Sequence, residues 1–133
     1  MSTRTLLGSK IHGATVTLAN QNYEGSIGID AELMDEADIL EYEQVHVWNV
    51  TNGNRIVTYA IPIVRNAVKI DDSIPPFEIN GAAAHLFSPG DKIIVATFME
   101  MPILTYVQLQ NGYHPLVLIM DDKNQVKEIK GDV

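Results

Sequence analysis

Gln44-Val45-His46-Val47-Trp48-Asn49-Val50-Thr51-Asn52-Gly53-Asn54-Arg55-Ile56-Val57-Thr58-Tyr59-Ala60-Ile61 is the stretch whose reading decides the fold. Its two halves, residues 44–51 and 55–61, are rich in Val, Ile, Thr and aromatic side chains, which suit a pleated, half-buried surface. Asn52-Gly53 separates them, and this pair suits a tight type I′ turn because both positions tolerate positive φ. A hairpin is predicted. Similar composition marks strands over residues 10–18, 26–30, 92–98 and 116–120. Helices are few. Leu33, Met34 and Ala37 fall at helical spacing with Asp30 as N-cap, which predicts one short helix between residues 30 and 39. Asn80-Gly81 leads into Ala82, Ala83 and Ala84, small residues that can open a second short helix while leaving room for something packed close to the backbone. Asp71 to Pro76, with two carboxylates and two prolines, reads as a surface loop. Many short strands and few helices suit a closed or nearly closed β-barrel better than an α/β layer, because closure removes exposed sheet edges.

The chain has 133 residues and is 46% hydrophobic, enough for one core without covalent staples, so one domain over 1–133 is expected. It contains no cysteine, hence no disulfide, thiolate nucleophile or thiolate metal ligand. Met1 to Lys10 lacks the apolar stretch of a signal peptide, and the apolar run at 93–99 is far too short to span a bilayer. A soluble cytoplasmic protein is the expectation. The formal net charge of −8 disfavours nucleic acid and anionic membrane partners, which are bound through excess Lys and Arg. It also repels an acidic small molecule, so a site for one must concentrate some of the nine basic residues; Lys10 and Arg55 are the candidates. The histidines at 12, 46, 85 and 114 have neither metal-ligand nor hydrolase spacing, and the scattered glycines form no phosphate cradle.

Five blocks carry a more specific signal: Lys10-Ile11-His12, Tyr23-Glu24-Gly25-Ser26, Trp48-Asn49-Val50-Thr51-Asn52-Gly53, Thr58-Tyr59-Ala60-Ile61 and Asn80-Gly81-Ala82-Ala83-Ala84-His85. In this order they resemble the pyruvoyl-dependent aspartate decarboxylase family, which supplies β-alanine for pantothenate synthesis. The similarity runs from about Arg4 to Pro102 and more loosely from Pro115 to Ile129. One block alone is weak, since a Gly-Ser pair is commonplace in turns. Their joint order is what carries weight.

The resemblance implies a fold, a cofactor and a set of roles. The fold is a double-psi β-barrel, all-β with short helices, assembled as a homotetramer with active sites between neighbouring subunits. The chain would cut itself between Gly25 and Ser26 into fragments 1–25 and 26–133, with room for a maturation factor in that step. The Ser26 hydroxyl would attack the Gly25 carbonyl to form an ester, and elimination would leave dehydroalanine at 26, which hydrolyses to a pyruvoyl group. Gly25, without Cβ, would permit a contorted turn and leave its carbonyl open. The ketone would form a Schiff base with L-aspartate and accept the electrons released as carbon dioxide leaves. Tyr59 resembles the proton donor, while Thr58, Gly81, Ala82 and Ala83 resemble the substrate-binding set. Arg55 would pair bidentately with a substrate carboxylate. Lys10 and His12 would add positive potential and hydrogen bonds. Asn80 would help hold the turn or a developing oxyanion.

Plainer readings exist for the same residues. Lys10 and His12 alternate as any solvated strand face does, and Tyr59 or Arg55 alone would read as a half-buried barrel residue and a surface charge. In a flat strand Arg55 and Tyr59 share one face and Thr58 takes the other, so one pocket cannot collect all three unless a bulge, a strand end or a second subunit intervenes. Residues 62–78 are longer than the usual family connection, and residues 100–114 match poorly. Two rival functions remain at this stage: an uncleaved barrel serving as a binding module, and a pyruvoyl decarboxylase for another amino acid. Two basic residues facing the substrate favour a diacid.

Overall fold

The computed structural model describes residues 2–22, 24–65 and 74–131. Tyr23 of the Tyr23-to-Ser26 block and residues 66–73 of the 62–78 connection, Asp71 and Asp72 among them, lie outside the described residues. Along the chain run β1 (Thr3–Thr15), β2 (Leu18–Asn20), β3 (Ser26–Asp30), α1 (Ala31–Glu36), β4 (Gln44–Asn49) and β5 (Arg55–Ile63). Then follow β6 (Phe77–Asn80), a 3-10 helix (Gly81–Leu86), β7 (Lys92–Pro102), α2 (Ile103–Gln108), β8 (Leu116–Met120) and β9 (Val126–Lys130). The nine strands form one mixed sheet in the order β2-β6-β3-β5-β4-β7-β1-β8-β9.

Connectivity forces that sheet to curl. β2 holds the first place and β1 the seventh, yet only Val16 and Thr17 separate them in sequence. Six strand spacings of about 4.8 Å would put the two about 29 Å apart in a flat sheet. The three Cα steps from Thr15 to Leu18 span at most about 11 Å. Both residues of the gap are tied in: Val16 donates its amide to Asp91 O at 2.9 Å, and Thr17 donates its amide to Phe77 O at 2.9 Å while its Oγ1 accepts the Phe77 amide at 3.0 Å. The result is the all-β barrel with short helices that the sequence pattern predicts. Parallel pairs β1/β8, β2/β6 and β3/β5 interrupt the antiparallel pairing, so the barrel is not a simple up-and-down meander.

The core lies inside the curl and follows the period-two alternation. Ile11, Val95, Val47 and Ile56 stand opposite one another across β1, β7, β4 and β5; Ile27, Ala60 and Ile79 do so across β3, β5 and β6. Of these seven, all but Ile56 are fully buried. Outward positions therefore share faces too, and that places the site. α1 behaves as expected: Asp30 Oδ2 accepts the Leu33 amide at 3.2 Å, while Leu33, Met34 and Ala37 are buried.

The β4/β5 hairpin forms, but its turn differs from the type I′ expectation. Gly53 has φ +84°, whereas Asn52 is not in the left-handed region. A longer loop closes instead, with the Gly53 amide on Asn49 O at 2.7 Å. Asn49 explains the change, since its Oδ1 accepts the Thr51 and Asn52 amides and so supplies local partners that a two-residue turn would not need. The side-chain amides of Asn49, Asn52 and Asn54 all donate to Leu86 O, tying this turn to the end of the 3-10 helix. That helix begins at Gly81, whose φ of +79° suits a residue without Cβ.

Candidate active site

Ser26 is the first residue of β3 and is buried, while Gly25 just before it is exposed. Strand pairing sets Ser26 directly opposite Asn80 at the end of β6. Asn80 precedes the 3-10 helix without capping it; its Nδ2 instead donates to Ser26 Oγ at 3.3 Å. Among the described residues Asn80 Oδ1 is buried with no hydrogen-bond partner. Gly25 sits at a bend in the chain; its φ lies outside the left-handed region, and a Cβ there would meet nothing within 4 Å.

An open cleft of about 630 Å³ runs over the outer face of β6, β3 and β5, within the usual range for small-molecule sites. Ser26 and Asn80 line one part, and Tyr59, Ile61 and Ile63 of β5 form a wall. Gly28 forms the floor: a Cβ there would stand 2.7 Å from Ile63 Cδ1, so glycine keeps that floor low. Tyr42, Glu24 and Glu78 complete the lining. The Tyr42 ring lies against Tyr59, centroids 6.2 Å apart, and Tyr42 itself has φ +69°, an uncommon conformation for an aromatic residue. Its amide donates to Ala60 O at 2.8 Å, which helps hold it there.

The structure thus brings Ser26, Tyr59 and Asn80 together, with Gly81, Ala82 and Ala83 following Asn80 in the chain. Lys10, His12, Arg55 and Thr58 do not line the cleft. Thr58 pairs with Val45 on the inward face of β5, as the alternation required. Arg55 shares the outward face with Tyr59 but lies four residues away, about 13 Å along the strand. Its guanidinium sits 5.1 Å from the centroid of the Trp48 ring. Lys10 lies on β1, four places from the strand of Ser26 in the sheet order. Cross-strand pairing puts His12, Ile94, Trp48 and Arg55 in one outward row, with Lys10, Ala96, His46 and Val57 in the next. Phe98 packs edge-on against His46 at 4.9 Å. The basic residues therefore form a second surface, separate from the serine cleft within one chain.

Burial first, and the Lys10 ammonium second, hold the pKa of His12 below the ordinary imidazole value. Lys10 and Arg55 are the cations of that surface, and among the described residues the buried His12 Nδ1 has no hydrogen-bond partner. Among the described residues there is no group of three or more His, Cys, Asp or Glu placed to hold a metal ion, and no helix is long and apolar enough to cross a membrane.

Sequence reasoning missed Glu24, Gly28, Tyr42 and Glu78. The run Phe77-Glu78-Ile79-Asn80 carries a period-two signal that could have placed Glu78 beside Asn80. Tyr42 carries no such signal, because its position depends on a backbone conformation unusual for tyrosine.

Fold and cleft together define an all-β barrel protein with a serine-centred surface site. A family model described as aspartate decarboxylase matches residues 1–127, and the chain belongs to that family. Its relatives include proteins named aspartate 1-decarboxylase from Leptothrix cholodnii, 41% identical over 97% of this chain and 90% of the relative, and from Clostridium botulinum (strain 657), 44% identical over 96% and 91%. Another, from Phenylobacterium zucineum, is 44% identical over 93% of this chain and 96% of its own length.

Proposed function

We propose that this protein is an aspartate 1-decarboxylase, a carboxy-lyase that converts L-aspartate to β-alanine and carbon dioxide for pantothenate biosynthesis. In this reading residues 1–133 are one domain that cuts itself between Gly25 and Ser26, and position 26 becomes a pyruvoyl group. The observation that carries it is the Ser26 hydroxyl at the head of a buried strand, next to an exposed Gly25, hydrogen-bonded by Asn80 and sharing a cleft with Tyr59.

The residues at position 26 and around it fit such a group. Ser26 supplies the oxygen nucleophile for attack on the Gly25 carbonyl, and Asn80 Nδ2 orients that oxygen. The unpartnered Asn80 Oδ1 leaves acceptor capacity on the same side chain. Once formed, a pyruvoyl ketone supplies the electron sink for loss of carbon dioxide. Tyr59 holds a hydroxyl over the cleft beside position 26, where it can deliver a proton to the reacting carbon. Ile61 and Ile63 keep that wall apolar, which strengthens polar contacts inside it.

Substrate carboxylates need cations, and among the described residues the cleft lining contains none. Lys10 and Arg55 do not line it on the same chain. A second copy that lays its Lys10 and Arg55 surface over the Ser26 cleft supplies them, with Thr58 and the Gly81-to-Ala83 segment as further substrate-binding candidates. That is the homotetramer with sites between subunits, and the exposed Val57 and Phe98 beside His46 suit such a contact. A maturation factor and a cytoplasmic location remain part of the reading. The direct test is incubation of the purified protein with L-aspartate: β-alanine and carbon dioxide in equal amounts are expected, with none from Ser26→Ala. Equal product from that variant, or none from the native protein after complete cleavage, would reject the assignment.

A further inference from the structure

We propose that Glu78 recognises the α-ammonium group of the substrate, dividing the labour of binding between an acidic cleft and a basic surface. The proposal rests on the amino-acid decarboxylase reading above and adds a specificity residue to it.

Three observations place Glu78. In β6, Phe77 and Ile79 are fully buried, so the alternating Glu78 and Asn80 point outward into the cleft that holds Ser26. Its neighbour across β3 is Gly28, which has no side chain to cover the carboxylate. A Cβ at position 28 would stand 3.6 Å from Glu78 Cβ, in ordinary contact, so glycine leaves that side of Glu78 bare. Among the described residues no hydrogen bond or ion pair engages the Glu78 carboxylate. It is half-buried, faces the open cleft and is unpaired among the described residues, free to meet a cationic group that enters there.

Charge gives the partner. Among the described residues the lining contains two carboxylates, Glu24 and Glu78, and no basic residue, so taken alone it repels a dicarboxylate. An α-amino acid resolves the conflict because it also carries an ammonium group, and that group must approach position 26 for the proposed reaction. Glu78 lies one outward position along β6 from Asn80, which faces Ser26 directly. It can therefore hold the ammonium at the reacting end while cations from the basic surface hold the carboxylates. Glu24 is exposed and less shielded from water, which makes Glu78 the stronger choice.

Calorimetric titration of Ser26→Ala, which keeps the cleft but cannot form the ketone, separates recognition from turnover. The probes are L-aspartate and succinate, diacids that differ by the ammonium group. Ser26→Ala is expected to bind aspartate about 10-fold more tightly than succinate, the scale of one charge-assisted hydrogen bond. Adding Glu78→Gln should bring the two affinities within about 2-fold by weakening aspartate alone, while adding Glu24→Gln should leave the preference in place. Should Glu78→Gln fail to fold, Glu78→Asp, with its shorter reach, is expected to reduce the preference partially. An unchanged preference in the Glu78 variants, or no preference for aspartate in Ser26→Ala, overturns the proposal. Neither result bears on the decarboxylase reading, which stands or falls on product formation by the native protein.

Discussion

Ser26, Asn80 and Tyr59 meet because three strands put three outward positions side by side, and each has a separable role. Asn80 donates a hydrogen bond to the Ser26 oxygen, whereas Tyr59 shares the cleft without a hydrogen bond to either among the described residues. Self-cleavage and decarboxylation should therefore respond differently to substitution. Tyr59→Phe keeps the ring against Tyr42 and removes only the hydroxyl. It is expected to be cut at the normal position yet to turn over about 10² to 10³ times more slowly, the usual scale for one lost proton-transfer group. Quantifying cut chain by mass and β-alanine by chromatography on the same sample checks this. A Tyr59→Phe enzyme with normal turnover would take the phenol out of the reaction.

At the scale of elements, the cleft depends on β6 being held where Asn80 and Glu78 face β3. The described turn between β8 and β9 does much of this through Asn124, which is fully buried with φ +56°. Its Oδ1 accepts the Thr15 amide at 2.7 Å, and its Nδ2 donates to Thr15 O and to Pro75 O, each at 2.9 Å. Pro75 leads into β6, so one side chain ties the end of β1 to the entry of the cleft strand. Asn124→Ala removes three hydrogen bonds at about 1 kcal/mol each, so a loss of roughly 3 kcal/mol in urea unfolding is expected. Asn124→Gly, which accepts the positive φ, should lose somewhat less. A change under about 0.5 kcal/mol for both, the scatter typical of surface substitutions, would show that the turn is held by other means.

At the scale of the whole molecule, Lys10 and Arg55 stand outside the Ser26 cleft of their own chain, and in the proposed reading a second chain brings them to it. If so, mixed oligomers of Ser26→Ala and Arg55→Ala, each inactive alone, should regain activity when the two are co-expressed, because some sites then combine an intact Ser26 with an intact Arg55. No recovery in oligomers confirmed to be mixed would argue for sites within single chains. The separation also explains what the sequence could and could not convey. Alternation in residues 44–61 disclosed the central hairpin, and Leu33, Met34 and Ala37 disclosed the helix, because each signal is local and periodic. β6 and β9 were too short or too polar to stand out, and Asn49 redirected a turn that Asn52-Gly53 alone would have made type I′. In the site, Ser26, Tyr59 and Asn80 were legible through the motif blocks. Glu78 and Tyr42 were not, since their places follow from strand pairing and from one residue's backbone conformation.

The central claim is that this chain cuts itself at Gly25 and makes its reactive group from Ser26. Intact-mass measurement of the purified protein after prolonged incubation tests it most directly. The account predicts two fragments, residues 1–25 and 26–133, the larger beginning with a ketone that reacts with hydrazine reagents, and a single uncut mass for Ser26→Ala. A single uncut mass for the native sequence, in a preparation that nevertheless makes β-alanine, would contradict it.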